Sequence, residues 1–223
     1  EVIGYTVEGR AIYALKVGNG QREIVMDAAL HGREYLTTNV LMEMIDEYTH
    51  AYARNSHYEG YAVKQLLDKT SIWFIPMVNA DGVSLVQNGV KSTSYGDLVT
   101  RINGSTNVSR WKANIRGVDL NRNFDGNWVE AATESAPAWR NFKGYSVFSE
   151  PESKAIRDFF AKHDFKAYIS YHSSGNLLYY WHWQGVADQL RDNSFAKKIS
   201  NTTGYYIMPA QNKVGSGSSA DWF

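Results

Sequence analysis

A histidine and a glutamate, His31 and Glu34, stand three positions apart where a short apolar run over residues 24–30 stops. An imidazole nitrogen and a carboxylate oxygen delivered from a rigid strand end suit Zn²⁺, and a catalytic zinc takes a third protein ligand while leaving a fourth position to water. Taken alone, His-x-x-Glu equally describes a histidine and a glutamate on a solvated loop. The third ligand has to come from elsewhere in the chain, and His172 offers one. It too ends an apolar run, over residues 167–171, and Ser173-Ser174-Gly175 follows where a turn is required. In an open α/β sheet the carboxyl ends of the strands share one edge, and ligands bind there. His31, Glu34 and His172 can therefore meet around one ion although the third stands 138 positions after the second. The remaining histidines, His50, His57, His163 and His182, fall in helical or loop contexts and read as packing or surface residues.

A second group of chemical interest is Gly117-Val118-Asp119-Leu120-Asn121-Arg122-Asn123-Phe124. The planar donors of Arg122 match a carboxylate, and the amide of Asn121 adds a donor without further charge, so together they suit a substrate bearing a free carboxylate. The alternative is an Asx-rich loop in which Arg122 pairs with Asp119 or Asp125.

Positioning these side chains requires a sheet, and the chain supplies its strands. Residues 2–5 and 11–17 read as strands joined by a Glu8-Gly9-Arg10 turn, and Gly18-Asn19-Gly20 leads into a strand over 22–29. Leu36, Val40, Leu41, Met44, Ile45 and Tyr48 recur at helical spacing, which predicts a helix of about four turns with that face on the sheet. A shorter helix is expected over 63–67, and the continuous apolar run over 71–79 reads as a strand buried on both faces. From 79 to about 144 periodicity is weak, yet Trp111, Trp128 and Trp139 need apolar cover, so an ordered functional loop region is expected. Ser149-Glu150-Pro151-Glu152 predicts a helix start running to 162, with Ser149 as cap and both glutamates facing the positive end of the macrodipole. Strands over 166–171, 177–181 and 205–208 and a helix over 187–202 complete the series. The fold class expected is α/β: a single domain over residues 1–223 with a mixed, mostly parallel twisted sheet and helices on both faces.

Composition narrows the chemistry. With 223 residues, 43% of them hydrophobic, one domain with a full core is expected. The 23 basic and 23 acidic residues balance, so no global field draws in nucleic acid or an anionic membrane. Cysteine is absent, which excludes disulfides, thiolate ligands and a cysteine nucleophile, and any metal must use His, Asp or Glu. No apolar run approaches the roughly 20 residues that span a bilayer. The start at Glu1 shows no signal pattern and leaves room for a leader or propeptide upstream.

In order, His31-x-x-Glu34, Asn79-x-Asp81-Gly82, the stretch from Gly117 to Phe124, Ser170-Tyr171-His172-Ser173 and Ser219-Ala220-Asp221-Trp222 resemble the motifs of the zinc carboxypeptidases of the carboxypeptidase A type. Trp111-Lys112-Ala113-Asn114, running toward the Asp-Leu-Asn-Arg stretch, resembles most the bacterial branch that cleaves γ-D-glutamyl-diaminopimelate bonds in peptidoglycan peptides. The resemblance implies one Zn²⁺ held by His31, Glu34 and His172, and a terminal carboxylate gripped by Asn121 and Arg122. It also implies an electrophilic arginine that steadies the oxyanion. Register after the tryptophan puts that group on Lys112, whereas the nearest arginine is Arg116, favoured here because a guanidinium keeps its charge and can donate two hydrogen bonds.

Two departures accompany the resemblance. The family's general-base glutamate lies on a strand beyond the Ser-x-Asp-Trp motif, so it is expected past Phe223, with the chain given stopping before the last strand and helix of the domain. A family tyrosine expected shortly before the Gly-Ser-rich stretch is replaced by Gln211-Asn212-Lys213-Val214-Gly215. Glu150 and Glu152 are expected to serve the helix rather than stand in for the base, and Ala220 falls at the family's side-chain pocket. The resemblance thus implies a zinc-dependent peptidase acting on an amide bond next to a carboxylate-bearing terminal residue of a peptidoglycan stem peptide. The alternatives are a general metallocarboxypeptidase, a deacylase of N-acyl amino acids sharing these ligands, and a non-catalytic relative that binds such peptides. A bacterial protein, secreted or associated with the cell wall, is the location implied, with the cytoplasm as the alternative.

Overall fold

Two central segments carry consecutive apolar residues, whose successive side chains serve opposite faces of one sheet. The computed structural model describes residues 1–131, 133–181, 184–209 and 216–223. It begins with a hairpin, β1 (Val2–Tyr5) and β2 (Ala11–Tyr13), which turns at Gly9 with φ at +82°. There follow β3 (Leu15–Val17), β4 (Arg22–Ala28), α1 (Leu36–Ala53), the small pair β5 (His57–Tyr58) and β6 (Tyr61–Ala62), α2 (Val63–Leu67) and β7 (Thr70–Ile75). Then come α3 (Ala80–Asn88), α4 (Gly96–Asn103), α5 (Pro151–Phe160), β8 (Phe165–Tyr171), β9 (Leu177–Leu178), α6 (Val186–Thr203), β10 (Tyr206–Ile207) and α7 (Ser219–Trp222).

The main sheet has the order β3-β7-β4-β8, with β7, β4 and β8 parallel and β3 antiparallel at one edge. Val25, Trp73 and Ile75 pack on one face against Ala155, Ile156 and Phe159 of α5. Met26, Ala28, Ile72 and Phe74 pack on the other against Leu41 and Ala51 of α1 and Val63 and Leu67 of α2. A period of two in the strands thus supplies both apolar faces, and helices cover each, which is the mixed, mostly parallel α/β architecture expected.

The structure differs from the sequence expectation at four places. In α1, Leu36 and Val40 are exposed, and the stripe that meets the sheet runs through Thr37, Leu41, Met44, Ile45, Tyr48 and Ala51. Thr37 wins the inner position through polar contacts: its Oγ1 donates to the Glu34 carbonyl at 2.8 Å and accepts from the Ala29 N–H at 3.0 Å. Residues 79–144, expected as loop throughout, contain α3 and α4, and Leu85, Val99, Val108, Trp111, Ala113 and Ile115 form a third core beneath them. Helices of nine and eight residues show too few repeats for the period to stand out. The start of α3 is fixed by Asn79, whose side chain accepts from the Gly82 N–H at 2.9 Å. Strands expected over 177–181 and 205–208 shorten to the two-residue pair β9 and β10.

The fourth difference lies at the start of α5. Glu150, not Ser149, occupies the cap position, no side chain caps the helix, and Ser149 Oγ donates to the Glu150 carboxylate at 2.8 Å instead. Both glutamates are buried rather than solvated. Asn114 Nδ2 donates to Glu150 Oε2 at 2.8 Å and to Glu152 Oε2 at 3.3 Å, and the Val7 N–H reaches Glu152 Oε1 at 3.2 Å. Burial pushes the Glu152 carboxyl up to about 7, the charge of Glu150 adds to it, and the donors from Val7 and Asn114 offset only part. Below about pH 4.5 Glu152 is protonated in both the folded and the unfolded chain and carries no cost. Stability then falls as pH rises toward 7, and above that the full cost, at most about 3 kcal/mol, is in place. Glu152→Gln should therefore gain in melting temperature on the native chain steadily between pH 5 and 7.5, followed by circular dichroism. Parallel pH curves for the two proteins would show that Glu152 stays ionised throughout.

Candidate metal centre

The register of β4 against β8 pairs Asp27 with Ser170 and Ala28 with Tyr171, so the two strands end level and release His31 and His172 at one edge. The exit from β4 is tightly constrained. Ala29 is fully buried with φ at +52°, a left-handed conformation that costs a non-glycine residue about 1 kcal/mol or more. Thr37 holds its N–H, and its carbonyl accepts from the Asn79 N–H at 3.0 Å. At Gly32 a Cβ would lie 2.6 Å from the carbonyl carbon and oxygen of Gly82, so the turn after His31 packs backbone on backbone against α3. Asn79 Nδ2 completes the brace by donating to Leu30 O at 3.1 Å and Ala113 O at 3.0 Å.

This framework brings His31, Glu34 and His172 together. Glu34 Oε2 is 3.0 Å from His31 Nδ1 and 2.9 Å from His172 Nδ1, and the two Nδ1 atoms are 3.2 Å apart. The side chains of His31 and Glu34 are 7% and 2% exposed, whereas His172 at 31% opens the cluster to solvent. Two ring nitrogens at such a separation need a proton or a cation between them, since two lone pairs repel. Glu34 Oε1 is buried without a hydrogen bond, with the Lys112 ammonium at 3.2 Å and the Arg33 Nε at 4.0 Å. Two imidazoles and one carboxylate, closely grouped with an unsatisfied oxygen, fit Zn²⁺ with an open fourth position.

A second layer holds the donors in place. Asp119 Oδ1 is 3.0 Å from His31 Nε2, and the Asn121 and Asn141 N–H groups donate to its two oxygens at 3.1 and 2.8 Å. Burial alone would raise the Asp119 carboxyl and lower the His31 imidazolium. Their mutual attraction wins, holding Asp119 well below the carboxylate range and His31 above its ordinary value. A carboxylate on the remote nitrogen of a metal-binding histidine fixes its tautomer and raises its basicity. Asp119 in that role was not read from the sequence, where it figured only as a loop partner for Arg122. The signal was its place two residues before Asn121, at the cap of a short 3₁₀ turn (Leu120–Arg122). On the other side, Ser170 Oγ lies 3.2 Å from His172 Nε2 and donates to the buried Asp27 at 2.6 Å, as does Tyr168 Oη at 2.6 Å.

Asn121 joins the rim to the cluster. Its Nδ2 is 3.5 Å from His172 Nε2, and its Oδ1 accepts from the Ser219 N–H at 3.1 Å. Arg122 Nη1 donates to the Asn121 carbonyl at 2.7 Å, and no ion pair with Asp119 or Asp125 forms. The two cations weighed for the oxyanion role part company. Lys112 stands beside Glu34, whereas Arg116 is 47% exposed with Nη1 3.7 Å from Glu150 Oε2. The cause is local: Asn114 Oδ1 accepts from the Arg116 N–H at 3.0 Å, and the same side chain holds Glu150, which turns residue 116 away from the cluster. Ala220 is exposed on α7. His182 and the 211–215 stretch lacking the family tyrosine lie outside the described residues.

His172→Ala should abolish stoichiometric zinc after dialysis. Asp119→Asn should weaken zinc binding by about 10- to 100-fold in a chelator competition, with the circular dichroism spectrum unchanged. Undiminished affinity in Asp119→Asn would mean that His31 is oriented without its carboxylate.

A family model described as zinc carboxypeptidase matches residues 1–222. The gamma-D-glutamyl-L-diamino acid endopeptidase 1 of Lysinibacillus sphaericus is 30% identical over 225 residues, covering 99% of this chain and 56% of that protein. Carboxypeptidase B of Bos taurus is 29% identical over 236 residues, covering 99% of this chain and 53% of its own length. The chain thus spans little more than half of these relatives. The crystal structure of thrombin-activatable fibrinolysis inhibitor superposes with a TM-score of 0.76 at 22% identity over all of this chain and 56% of that one, which shows a shared fold. A match that runs from the first strand through α7 takes in the turn at His31, the Asp119 to Arg122 stretch and the end of β8 alike, and the chain belongs to the zinc carboxypeptidase family.

Proposed function

We propose that this protein is a zinc-dependent peptidase that hydrolyses the amide bond next to a terminal residue carrying a free carboxylate. Its substrate class would be γ-D-glutamyl-diamino acid peptides of the bacterial cell wall, met by a secreted or wall-associated protein. The observation that carries this reading is the coupling of the carboxylate grip to the metal donors: Asn121 touches the His172 ring while Ser219 holds its other end. A carboxylate bound by Asn121 and Arg122 would set the neighbouring amide over His31, Glu34 and His172. The narrower choice of linkage is supported by the name of the Lysinibacillus relative.

When bound, zinc supplies Lewis acidity and a water whose pKa falls toward ~7. The chain's own residues do the rest. Arg122 and Asn121 orient the substrate, which converts much of the entropic barrier into binding. Lys112, beside Glu34, faces the charge that develops on the scissile carbonyl oxygen. Proton transfer needs a further carboxylate. Asp27 is engaged by Tyr168 and Ser170, Asp119 by His31, and Glu34 by both histidines. By the family resemblance that role belongs to a glutamate on a strand after the Ser-x-Asp-Trp motif, which would take a proton from water and return it to the leaving amine.

The full-length protein loaded with zinc should cleave a γ-D-glutamyl-diaminopimelate peptide at least 100-fold faster, in kcat/KM, than L-peptides of equal length. Arg122→Gln should raise KM for substrates ending in a carboxylate by about 10- to 100-fold and leave the corresponding terminal amides unchanged. Cleavage confined to L-peptides would make it a general carboxypeptidase, and zinc binding with cleavage of neither would make it a binding relative.

A further inference from the structure

Beside the metal centre lies a group of cations that the proposed chemistry leaves unused. Trp139 is half-buried against the third core and carries a guanidinium on its ring from each of two exposed arginines, Arg110 at 4.5 Å and Arg140 at 4.4 Å from the ring centroid. Stacking on a rigid ring orients an arginine while leaving its N–H fork free to donate. Neither guanidinium forms an ion pair among the described residues, so two like charges are held close together without an acidic side chain between them.

The position of this stack follows from the backbone. Trp139 O accepts from the Lys112 and Ala113 N–H groups at 2.9 and 3.0 Å, and Lys112 stands beside Glu34. Trp111 O and Lys112 O in turn accept from the Arg33 and Gly32 N–H groups at 2.9 and 3.0 Å. On the other flank, Arg140 precedes Asn141, whose N–H holds Asp119. The stack is thus anchored at both ends to the residues that support the donors. Through Lys112 it reaches the centre from the Glu34 side, whereas Asn121, with Arg122 bonded to its carbonyl, meets the centre at His172. A peptide whose terminal carboxylate sits at Arg122 would extend its acyl portion past Lys112 toward this stack.

We propose that Arg110 and Arg140, stacked on Trp139, form a second anion-binding site that takes a carboxylate on the acyl side of the peptide. The proposal rests on the peptidase reading for the direction of the substrate. It also fits that reading chemically: a glutamyl residue linked through its γ-carboxyl keeps its α-carboxylate free, so such peptides are acidic on the acyl side, where an ordinary peptide of neutral residues is not. The opposing explanation is that the arginine stems merely shield the tryptophan from water.

The test is calorimetric binding to the zinc-loaded full-length protein of two peptides, both ending in an amide so that Arg122 is not engaged. One carries two acyl-side carboxylates and the other has both as carboxamides. The acidic peptide should bind about 10-fold tighter at low salt, and the preference should shrink as salt is added. Arg110→Gln with Arg140→Gln should bring the ratio to about one while the melting temperature and zinc content stay as they were. Should that double variant fold poorly, Arg110→Lys with Arg140→Lys keeps the charge and loses the fork, and should retain only part of the preference. A ratio near one in the native protein, or an undiminished ratio in either double variant, overturns the proposal. The same titration on His172→Ala separates the two readings: a preserved preference there, together with absent hydrolysis by the native enzyme, would leave the anion site standing and remove the peptidase.

Discussion

Two imidazoles crowding one buried carboxylate cannot satisfy one another. Glu34 Oε2 is met by the Nδ1 atoms of both His31 and His172, those two atoms face each other at 3.2 Å, and Glu34 Oε1 has no hydrogen bond at all. In a low-dielectric corner such an arrangement holds only if positive charge sits among the donors, as protons on the rings or as a metal ion. The electrostatics say the same: despite its burial, His31 is pushed toward its charged form and Glu34 is held far below the carboxylate range. Much of the remaining structure can be understood as what keeps this convergence from relaxing.

The supports come from separate parts of the fold and meet at the ends of β4 and β8. Ala29 accepts a left-handed backbone because Thr37 and Asn79 hold its two polar groups, and Gly32 has no side chain because Gly82 lies against it. Asn79 ties the end of β4, the start of α3 and the segment through Ala113 in one set of hydrogen bonds. Asp119 and Asp27 then reach the two histidines from opposite sides, one directly and one through Ser170. Each histidine has a carboxylate behind it, but only Asp119 makes direct contact. His31 is correspondingly the more buried and more rigidly held of the two, and His172 the one that faces incoming solvent.

The convergence of His31, Glu34 and His172 was legible in the sequence because both histidines follow the ends of apolar strands, and the expected order of elements carried over to the sheet. What escaped were features decided by polar contacts rather than by period. Thr37 displaced Leu36 and Val40 from the inner face of α1 because two hydrogen bonds were available to it. Glu150 and Glu152 read as ordinary helix-start acids and proved to be buried around Asn114. Both errors have one origin: a residue's chemistry gives its preference for water, while the partner that overrides it lies outside its own helix, at Ala29 for Thr37 and at Asn114 for the glutamates.

The choice between Lys112 and Arg116 shows the same rule at the site itself. Charge permanence and two-point donation favour arginine wherever both could reach. Reach was decided by Asn114, which takes the Arg116 N–H on its carbonyl oxygen and Glu150 on its amide, so that residue 116 turns toward the buried acids. Lys112 sits four residues before Arg116, on the segment whose carbonyls receive the N–H groups of Gly32 and Arg33, and this pairing brings its ammonium to Glu34. A flexible point charge stands where a fixed fork was expected. The forks that the neighbourhood does possess, on Arg110 and Arg140, are set further out by Trp139. Balanced in total, the chain's charge is segregated locally, with cations along the segments that flank the donors and the nearest carboxylates turned inward to the histidines.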